Sequence, residues 1–262
     1  MHYKYIAALL LAGSTATLRA QSYQEYVEKG MTLLKQDSLL QAESSFVAAI
    51  QKEPTQKSNC LLYNILGQIQ ERTGRMQEAI NSFNNALVLD PSSIEILQNR
   101  ASVYLALNNE DKALLDYSSI IEKEPENEEA LFFRAYILSN KRMYKEARND
   151  YEKIIKQNPR HEKAILGLAL VNNKSGRPRE AMEQINQLIR FNPTQALYYN
   201  IRGGVHVQNK NYEQAIKDYN KAVELEPNNP EHLISRSECF QKMKKKKQLV
   251  KYHINIKAKS NK

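Results

Sequence analysis

Small and large apolar residues recur along the chain in a pattern typical of paired amphipathic helices. Within residues 196–229, one apolar run surrounds Gly203, a polar turn follows it, and a second apolar run carries Ala215 and Tyr219. Tyr219 lies four residues after Ala215, so both side chains share one helix face. Pro227 ends the second run, because proline lacks a backbone N–H and cannot continue a helix. The stretch therefore predicts two helices joined by a turn.

This hairpin pattern recurs along the chain at a spacing of 34 residues, after a first step of 37. The small residues of the second helices are Ala42, Ala79, Ala113, Ala147, Ala181 and Ala215. The large residues four positions later are Phe46, Phe83, Tyr117, Tyr151, Ile185 and Tyr219. The small residues of the first helices are Gly30, Gly67, Ala101, Ala135, Ala169 and Gly203. Small side chains at a crossing let two helices approach to about 8–10 Å, so we expect Gly203 to lie where its helix crosses the one carrying Ala215.

A 34-residue period with a small residue, an alanine, an aromatic residue and a proline at fixed offsets resembles the tetratricopeptide repeat family. The chain departs from that family's pattern in having no tryptophan. The resemblance implies an all-α fold, a right-handed superhelical solenoid of helix-turn-helix repeats, and a role in binding other proteins. The pentatricopeptide family, which reads single-stranded RNA, has a different helix pattern and a 35-residue period, so we set it aside.

The repeat pattern divides the chain into three parts. Residues 1–20 lie outside the repeats, residues 21–229 hold six repeats, and residues 230–262 form a degenerate seventh repeat or capping helices with a lysine-rich tail. The repeat ranges are 23–56, 60–93, 94–127, 128–161, 162–195 and 196–229. Because repeats bury their apolar faces on their neighbours, we expect one continuous core and count one domain.

The first twenty residues have the features of a secretory signal peptide. Lys4 precedes an apolar stretch over residues 6–12, and small residues follow. The apolar stretch is too short to span a bilayer. Cleavage could follow Ala16 or Ala20, and we favour Ala20 because the Ala–Gln pair there resembles exported proteins of the Bacteroides group. A buried or frayed N-terminal helix is the alternative. The sequence thus predicts an exported protein, periplasmic or associated with the cell envelope.

The net charge of +9 is concentrated at the C-terminus. Residues 241–262 contain nine lysines and no acidic residue, whereas residues 21–240 are nearly neutral. A nucleic-acid-binding face usually carries basic residues across it, so we predict no nucleic-acid partner. The densest charges are Lys244, Lys245, Lys246 and Lys247. They favour either a solubilising cap on the last repeat or attachment to an anionic membrane surface.

No residue pattern in the sequence indicates catalysis or metal binding. The histidines stand in different repeats without the spacing of a zinc motif, and no nucleophile or phosphate-loop motif occurs. Cys60 and Cys239 are five repeats apart, too far for a disulfide within one chain at the spacing of packed helices. We predict no enzymatic activity, no cofactor and no metal. The oligomeric state is not predicted.

The resemblance also implies where a partner binds, because in that family the concave groove is lined by the first helix of each repeat. The corresponding residues are Asn64, Gln68, Arg72, Gln98, Ser102, Phe132, Tyr136, Lys163, Leu166, Leu170 and Asn200. Amides such as Asn64 and Asn200 can bind an extended backbone, while Phe132 and Tyr136 can receive an apolar side chain. Leu166 and Leu170 could equally close the interface between repeats.

These patterns together predict a non-enzymatic scaffold that binds a peptide or a segment of a partner protein in its groove. The alternative is a membrane-surface tether that attaches through the lysine tail. Salt distinguishes the two, because screening weakens the attraction of exposed lysines to an anionic surface and leaves apolar contacts largely unchanged.

Overall fold

The computed structural model describes the backbone of residues 18–260 and the side chains of residues 22–248. Most of the predicted signal peptide, residues 1–17, lies outside the described residues. Every regular element within 18–260 is an α-helix. The helices are α1 (Leu18–Lys35), α2 (Leu39–Lys52), α3 (Asn59–Arg72), α4 (Met76–Leu89), α5 (Ile94–Ala106), α6 (Glu110–Lys123), α7 (Glu128–Asn140), α8 (Tyr144–Gln157), α9 (Glu162–Lys174), α10 (Pro178–Phe191), α11 (Ala196–Gln208), α12 (Tyr212–Leu225) and α13 (Pro230–Ser260).

Turn residues and prolines set the ends of these helices. A residue with positive φ lies in the turn between the first and second helix of each pair, as Gly74 does at 79° and Asn108 at 56°. Glycine and asparagine are the residues that most readily adopt this left-handed conformation. Each second helix ends two residues before a proline, as α12 does at Leu225 before Pro227. The residue before a proline is biased away from helical geometry, which explains the common end point.

The apolar seam predicted from the repeats is confirmed by burial. The small residues of the second helices are fully buried, as Ala42, Ala113 and Ala215 show at 0% exposure. The large residues four positions later are buried as well, with Phe83 at 0% and Tyr219 at 5%. The all-α repeat fold therefore rests on the residues that recur in the sequence.

The glycines of the first helices lie against aromatic rings rather than against the alanines. A Cβ atom added to Gly203 would lie 2.7 Å from Cε1 of Tyr219, and one added to Gly30 would lie 2.6 Å from Cε1 of Phe46. Gly203 therefore lies against α12, the helix that carries Ala215, and the nearest side chain there is the ring of Tyr219. The aromatic ring of the second helix occupies the space where the two helices cross. The first helix therefore needs glycine there, because a Cβ atom would overlap with the ring.

The chain divides into two compact units. The first unit ends at Ala130, and the second begins at Leu131. A core cluster of the first unit contains Tyr23, Phe46 and Leu62, and a core cluster of the second contains Ile165 and Leu188. We had counted one domain. In a repeat array each repeat contacts only its neighbours, so a long array need not form one mutually contacting set of residues.

The C-terminal part is one helix, α13, from Pro230 to Ser260. The sequence predicts a degenerate seventh repeat or capping helices here, whereas the backbone from Pro230 to Ser260 forms a single helix without a turn. The sequence explains the difference, because Leu249 stands where the other repeats have a buried alanine and His253 stands where they have the large apolar residue. Without a small residue at that place, a second helix cannot approach closely.

Candidate interaction surface on the first helices

In the first unit, Asn64 is buried and bonded within the protein. Its Nδ2 donates to Oε1 of Glu95 at 2.9 Å, and its Oδ1 accepts a hydrogen bond from Nδ2 of Asn99 at 3.0 Å. These two bonds connect α3 to α5. The amide of Asn64 therefore joins neighbouring repeats, and it could bind a peptide backbone only by exchanging one of these bonds.

The other predicted groove residues of the first unit make a polar surface. Gln68 on α3 and Gln98 on α5 are half-buried, and Ser102 is exposed. Arg72 is exposed, and its Nη2 donates to Oδ1 of Asp37 at 2.6 Å. An exposed ion pair of this kind contributes at most about 1 kcal/mol to stability, so Arg72 can exchange Asp37 for another acidic group at little cost.

In the second unit, Phe132 on α7 is half-buried and surrounded by rings. Its centroid lies 5.5 Å from that of Phe133, 5.9 Å from that of Tyr151 and 6.0 Å from the ring of His161. The first two contacts are edge-to-face and the third is stacked, arrangements that aromatic rings favour. Phe132 therefore packs α7 against α8 and against the start of α9, and only part of its surface is available to a ligand.

Tyr136, one turn further along α7, is 49% exposed. Leu170 holds the same position one repeat later, on α9, and is 37% exposed. Leu166 is half-buried and packs against the cluster that contains Ile165. We call Phe132, Tyr136, Leu166 and Leu170 the first-helix row. The row presents apolar surface at equivalent positions of two successive repeats.

Two further predicted residues lie in the second unit. Lys163 is exposed on α9, one turn from Leu166. Asn200 on α11 is half-buried, and its Oδ1 is buried without a hydrogen-bond partner among the described residues. Asn200 occupies the repeat position of Leu166 and Phe132, so the row changes there from apolar to polar.

The sequence reasoning missed a polar network that recurs between the helices. Nη2 of Arg100 donates to Oδ1 of Asp116 at 2.6 Å, and its Nη1 donates to Oδ1 of Asn84 at 2.7 Å. Arg100 thus binds the second helix of its own repeat and that of the preceding one. Asp116 is 4% exposed, and a buried carboxylate needs such a partner.

The same arginine–aspartate pair occurs in two other repeats. Nη2 of Arg202 donates to Oδ1 of Asp218 at 2.6 Å, and Nη2 of Arg134 donates to Oδ1 of Asp150 at 2.8 Å. In each pair the aspartate follows the arginine by 16 residues, so the repeat period itself carried the signal. A search of the 34-residue template for charged positions, rather than apolar ones, would have found it.

Burial shifts the pKa values of several tyrosines and of His206 in these helices towards their neutral forms. Burial raises the pKa of Tyr151 to about 12 and that of Tyr219 to about 12. Burial also lowers the pKa of His206, with Asp218 opposing the shift and Arg202 adding to it. Neutral phenols and imidazoles of this kind pack in the interior, and they do not supply an activated nucleophile.

The described residues hold no group of three or more His, Cys, Asp and Glu side chains arranged to bind a metal ion. The thiols of Cys60 and Cys239 are both free. Among the residues that the structure describes, no helix combines the length and the apolar character needed to cross a membrane.

Comparison with known proteins identifies the family. Models described as tetratricopeptide repeat match residues 62–93, 141–203 and 196–229. A solved tetratricopeptide repeat protein from Parabacteroides merdae is 32% identical, with a TM-score of 0.71, over 87% of this chain and 89% of its own. The chain belongs to the tetratricopeptide repeat family. The matches at 62–93 and 196–229 each cover one helix pair, and the match at 141–203 runs from the turn before α8 into α11.

More distant solved structures share the fold of this tetratricopeptide repeat protein. YrrB, described as having an unusual peptide-binding site, is 18% identical with a TM-score of 0.63, over 73% of this chain and 97% of its own. MamA is 20% identical with a TM-score of 0.61, over 64% of this chain and 92% of its own. These neighbours share the fold, and membership of the tetratricopeptide repeat family supports a protein-interaction scaffold.

Proposed function

We propose that the protein is a non-enzymatic scaffold that binds a segment of a partner protein along the first-helix row. The exposure of Tyr136 and Leu170 carries this proposal. Both are large and apolar, both lie on first helices, and they hold equivalent positions one repeat apart. Aromatic side chains at the centre of an interface contribute much of its binding energy, so Tyr136 is the expected anchor.

The surroundings of the row define the segment that would fit. Phe132 and Leu166 extend the apolar surface beside the two exposed side chains, and Lys163 adds a positive charge at its edge. A segment with two apolar side chains and a nearby carboxylate matches these groups. Charge complementarity at the edge adds to specificity and to the rate of association more than to affinity.

Affinity capture from the cell envelope of the source organism tests the proposal. The bait is the full mature chain, and the test variant is Tyr136→Ser combined with Leu170→Ser, since both side chains are exposed and their loss leaves the core intact. We expect the wild-type chain to recover a defined protein that the double variant does not recover. Equal recovery by both chains would overturn the proposal.

Leu115→Ser is the matched control for this capture. Leu115 is 67% exposed and lies on a second helix, α6, so its replacement removes exposed apolar surface from a second helix and leaves the first-helix row unchanged. Recovery of the partner should be unchanged by this variant. Loss of the partner with Leu115→Ser would show that the capture depends on apolar surface in general.

We further propose that the scaffold acts outside the cytoplasm, in the periplasm or at the cell envelope. The features of residues 1–20 that resemble a secretory signal peptide support this location. Fractionation of cells expressing the tagged chain, with N-terminal sequencing of the product, tests it. Export predicts a shortened chain in the envelope fraction that begins at Gln21, whereas a full-length cytoplasmic chain would contradict it.

A second candidate function, attachment to an anionic membrane surface, rests on the lysines of α13. Lys244, Lys245 and Lys247 are exposed, and each lysine near such a surface contributes about 1 kcal/mol. Lys246 is engaged within the protein, because its Nζ donates to the carbonyl oxygen of Lys210 at 3.2 Å. Vesicles with and without anionic lipid test this function. Binding that requires anionic lipid and disappears when Lys244, Lys245 and Lys247 are replaced by glutamine would support the tether.

A further inference from the structure

Helix α13 repeats the residue pattern of a first helix but lacks a second helix against it. Leu233, Arg236 and Phe240 stand four repeat lengths after Leu97, Arg100 and Tyr104 of α5. Cys239 is 1% exposed and packs against Ala215 and Tyr219 of α12. One side of α13 is therefore covered by the preceding repeat.

The other side of α13 is uncovered where its counterparts are buried. Leu233 is 39% exposed and Phe240 is 45% exposed, whereas Leu97 is 5% and Tyr104 is 6% exposed. We call Leu233, Arg236, Ser237 and Phe240 the open face. Two large apolar side chains are thus exposed on α13 at positions where the complete repeats bury them.

In the complete repeats, the second helix of the same repeat covers the counterparts of the open face. Nε and Nη2 of Arg100 donate to the Asp116 carboxylate on α6 at 2.9 and 2.6 Å, and the Lys112 ammonium of α6 lies 5.4 Å from the centroid of the Tyr104 ring. Arg202 of α11 binds Asp218 of α12 in the same way, at 3.0 and 2.6 Å. The helix that belongs on this face therefore carries an aspartate.

Arg236 has kept one of these contacts and lacks the other. Its Nη1 donates to Oδ1 of Asn220 at 3.3 Å, as Arg202 donates to Asn186 at 2.7 Å. Among the described residues no carboxylate binds Arg236. Its guanidinium therefore presents free donors for a carboxylate beside Leu233 and Phe240, and such a pair can be bidentate.

The chain's own C-terminal segment does not match this face. Tyr252 stands where the aspartate would be and Leu249 stands where the alanine would be. Residues 249–262 carry four lysines and no acidic residue, so they would add positive charge to a helix that already carries Lys242 and Lys244–Lys247. The backbone also continues as α13 to Ser260 instead of turning back.

We propose that the open face binds an acidic amphipathic helix of a partner protein, which takes the place of the missing second helix. The complementary helix carries a small residue, an aspartate three positions later and an aromatic residue directly after it. Ala113, Asp116 and Tyr117 have this arrangement on α6, and Ala215, Asp218 and Tyr219 have it on α12. The interface continues the repeat stack, with the aspartate bound to Arg236.

A peptide with the sequence of residues 109–124 is a suitable probe, because it contains α6 and carries five acidic and two basic residues. We expect the fluorescently labelled peptide to bind the full chain saturably in an anisotropy titration. Arg236→Gln in the protein and Asp116→Asn in the peptide should each weaken binding by about tenfold, as expected for loss of a charge-assisted bond. The two losses should not add, since they remove one interaction.

Two controls separate this contact from general charge attraction. Arg179→Gln removes an exposed arginine elsewhere in the same unit, and Asp111→Asn makes the same charge change in the peptide at an exposed position. Both should leave binding within about twofold of the wild type. Leu233→Gln, at a residue that is already 39% exposed, should weaken binding without unfolding the chain, and its melting curve checks the fold.

The proposal is wrong if no saturable binding occurs, or if the control substitutions weaken binding as much as Arg236→Gln and Asp116→Asn. Sedimentation without peptide is a further test. Self-association that Arg236→Gln abolishes would assign the face to a second copy of the chain and overturn the proposal. The double variant Tyr136→Ser/Leu170→Ser should bind the peptide normally, so the open face and the first-helix row can be tested separately.

Discussion

At the scale of single residues, the fold depends on side chains that are small because a ring lies beside them. Gly203 contacts the ring of Tyr219, and Tyr219 is itself buried at 5% exposure. A buried ring in a packed core cannot move aside without disturbing its other neighbours. The size of the residue at position 203 is therefore fixed by the partner helix.

Gly203→Ala should destabilise the protein, because the added methyl group would lie 2.7 Å from Cε1 of Tyr219. We expect a loss of about 1–3 kcal/mol in the free energy of unfolding, the usual cost of overpacking. Gly204→Ala is the matched control, since its methyl group would meet only the Tyr219 hydroxyl at 3.9 Å. Alanine favours a helix over glycine by about 0.5–1 kcal/mol, so urea unfolding should show a gain there. An equal change in the free energy of unfolding for Gly203→Ala and Gly204→Ala would contradict the close contact between Gly203 and the Tyr219 ring.

His206 should make stability depend on pH. Burial lowers its pKa, so the folded protein binds fewer protons at this group than the unfolded chain does. The contribution is present above the unfolded pKa of about 6.5 and is lost as the pH falls below it. Glutamine is a suitable replacement, because the second repeat has Gln70 at the equivalent position. We expect the melting temperature of His206→Gln to fall less than that of the wild type between about pH 7.5 and pH 5.5. Parallel losses in the two proteins would show that His206 does not contribute.

At the scale of the helices, arginine–aspartate pairs join the first and second helix in three repeats. Arg100 binds Asp116 on α6 and Asn84 on α4. Because its side chain and that of Asp116 are largely buried, with exposures of 20% and 6%, the pair is sensitive to the loss of one partner. An unpaired charge left in the interior costs more than an exposed one.

Arg100→Met should lower the free energy of unfolding by about 3 kcal/mol, because it leaves the Asp116 carboxylate buried without its partner. Arg72→Met is the matched control, since the side chains of Arg72 and Asp37 are 54% and 75% exposed. Its loss should cost less than about 1 kcal/mol. Urea midpoints measure both, and the double variant Arg100→Met/Asp116→Leu should recover most of the loss. A cost for Arg72→Met as large as that for Arg100→Met would contradict the account.

The sequence predicted the helix pairs well because their signals are local and repeated. The turns, the prolines and the alanines recur every 34 residues after a first step of 37. Six copies of the pattern therefore predict the same helix pair. The site was harder to predict, because the family position of a residue does not say whether its polar atoms are already bonded. Asn64 illustrates this, since its bonds to Glu95 and Asn99 depend on side chains of the next repeat.

At the scale of the whole molecule, the chain offers different chemistry in its two units. The predicted groove residues of the first unit are polar, as Gln68 and Ser102 are, while those of the second unit include the exposed Tyr136 and Leu170. The second unit also ends in the open face and the lysines of α13. Two separate surfaces of one chain can bind two partners, and where both surfaces bind a single partner the linkage raises the overall affinity.

The repeat template did not predict the continuous helix at the C-terminus. The template predicted that Leu233 would begin a seventh hairpin, and α13 does carry the first-helix residues. The second half fails because Leu249 and His253 do not fit the packed positions that Ala215 and Tyr219 occupy in α12. Counting the template positions that a segment violates would have predicted the missing turn.

Site-specific photo-cross-linking in the source organism tests the central claim, that the first-helix row binds a partner protein. A photoreactive amino acid replaces Tyr136 or Leu170 in turn, and the exposed Leu115 on α6 serves as the control position. The account predicts the same cross-linked protein from positions 136 and 170 and none of it from position 115. Absence of a cross-link at both row positions, or the same product from position 115, would contradict it.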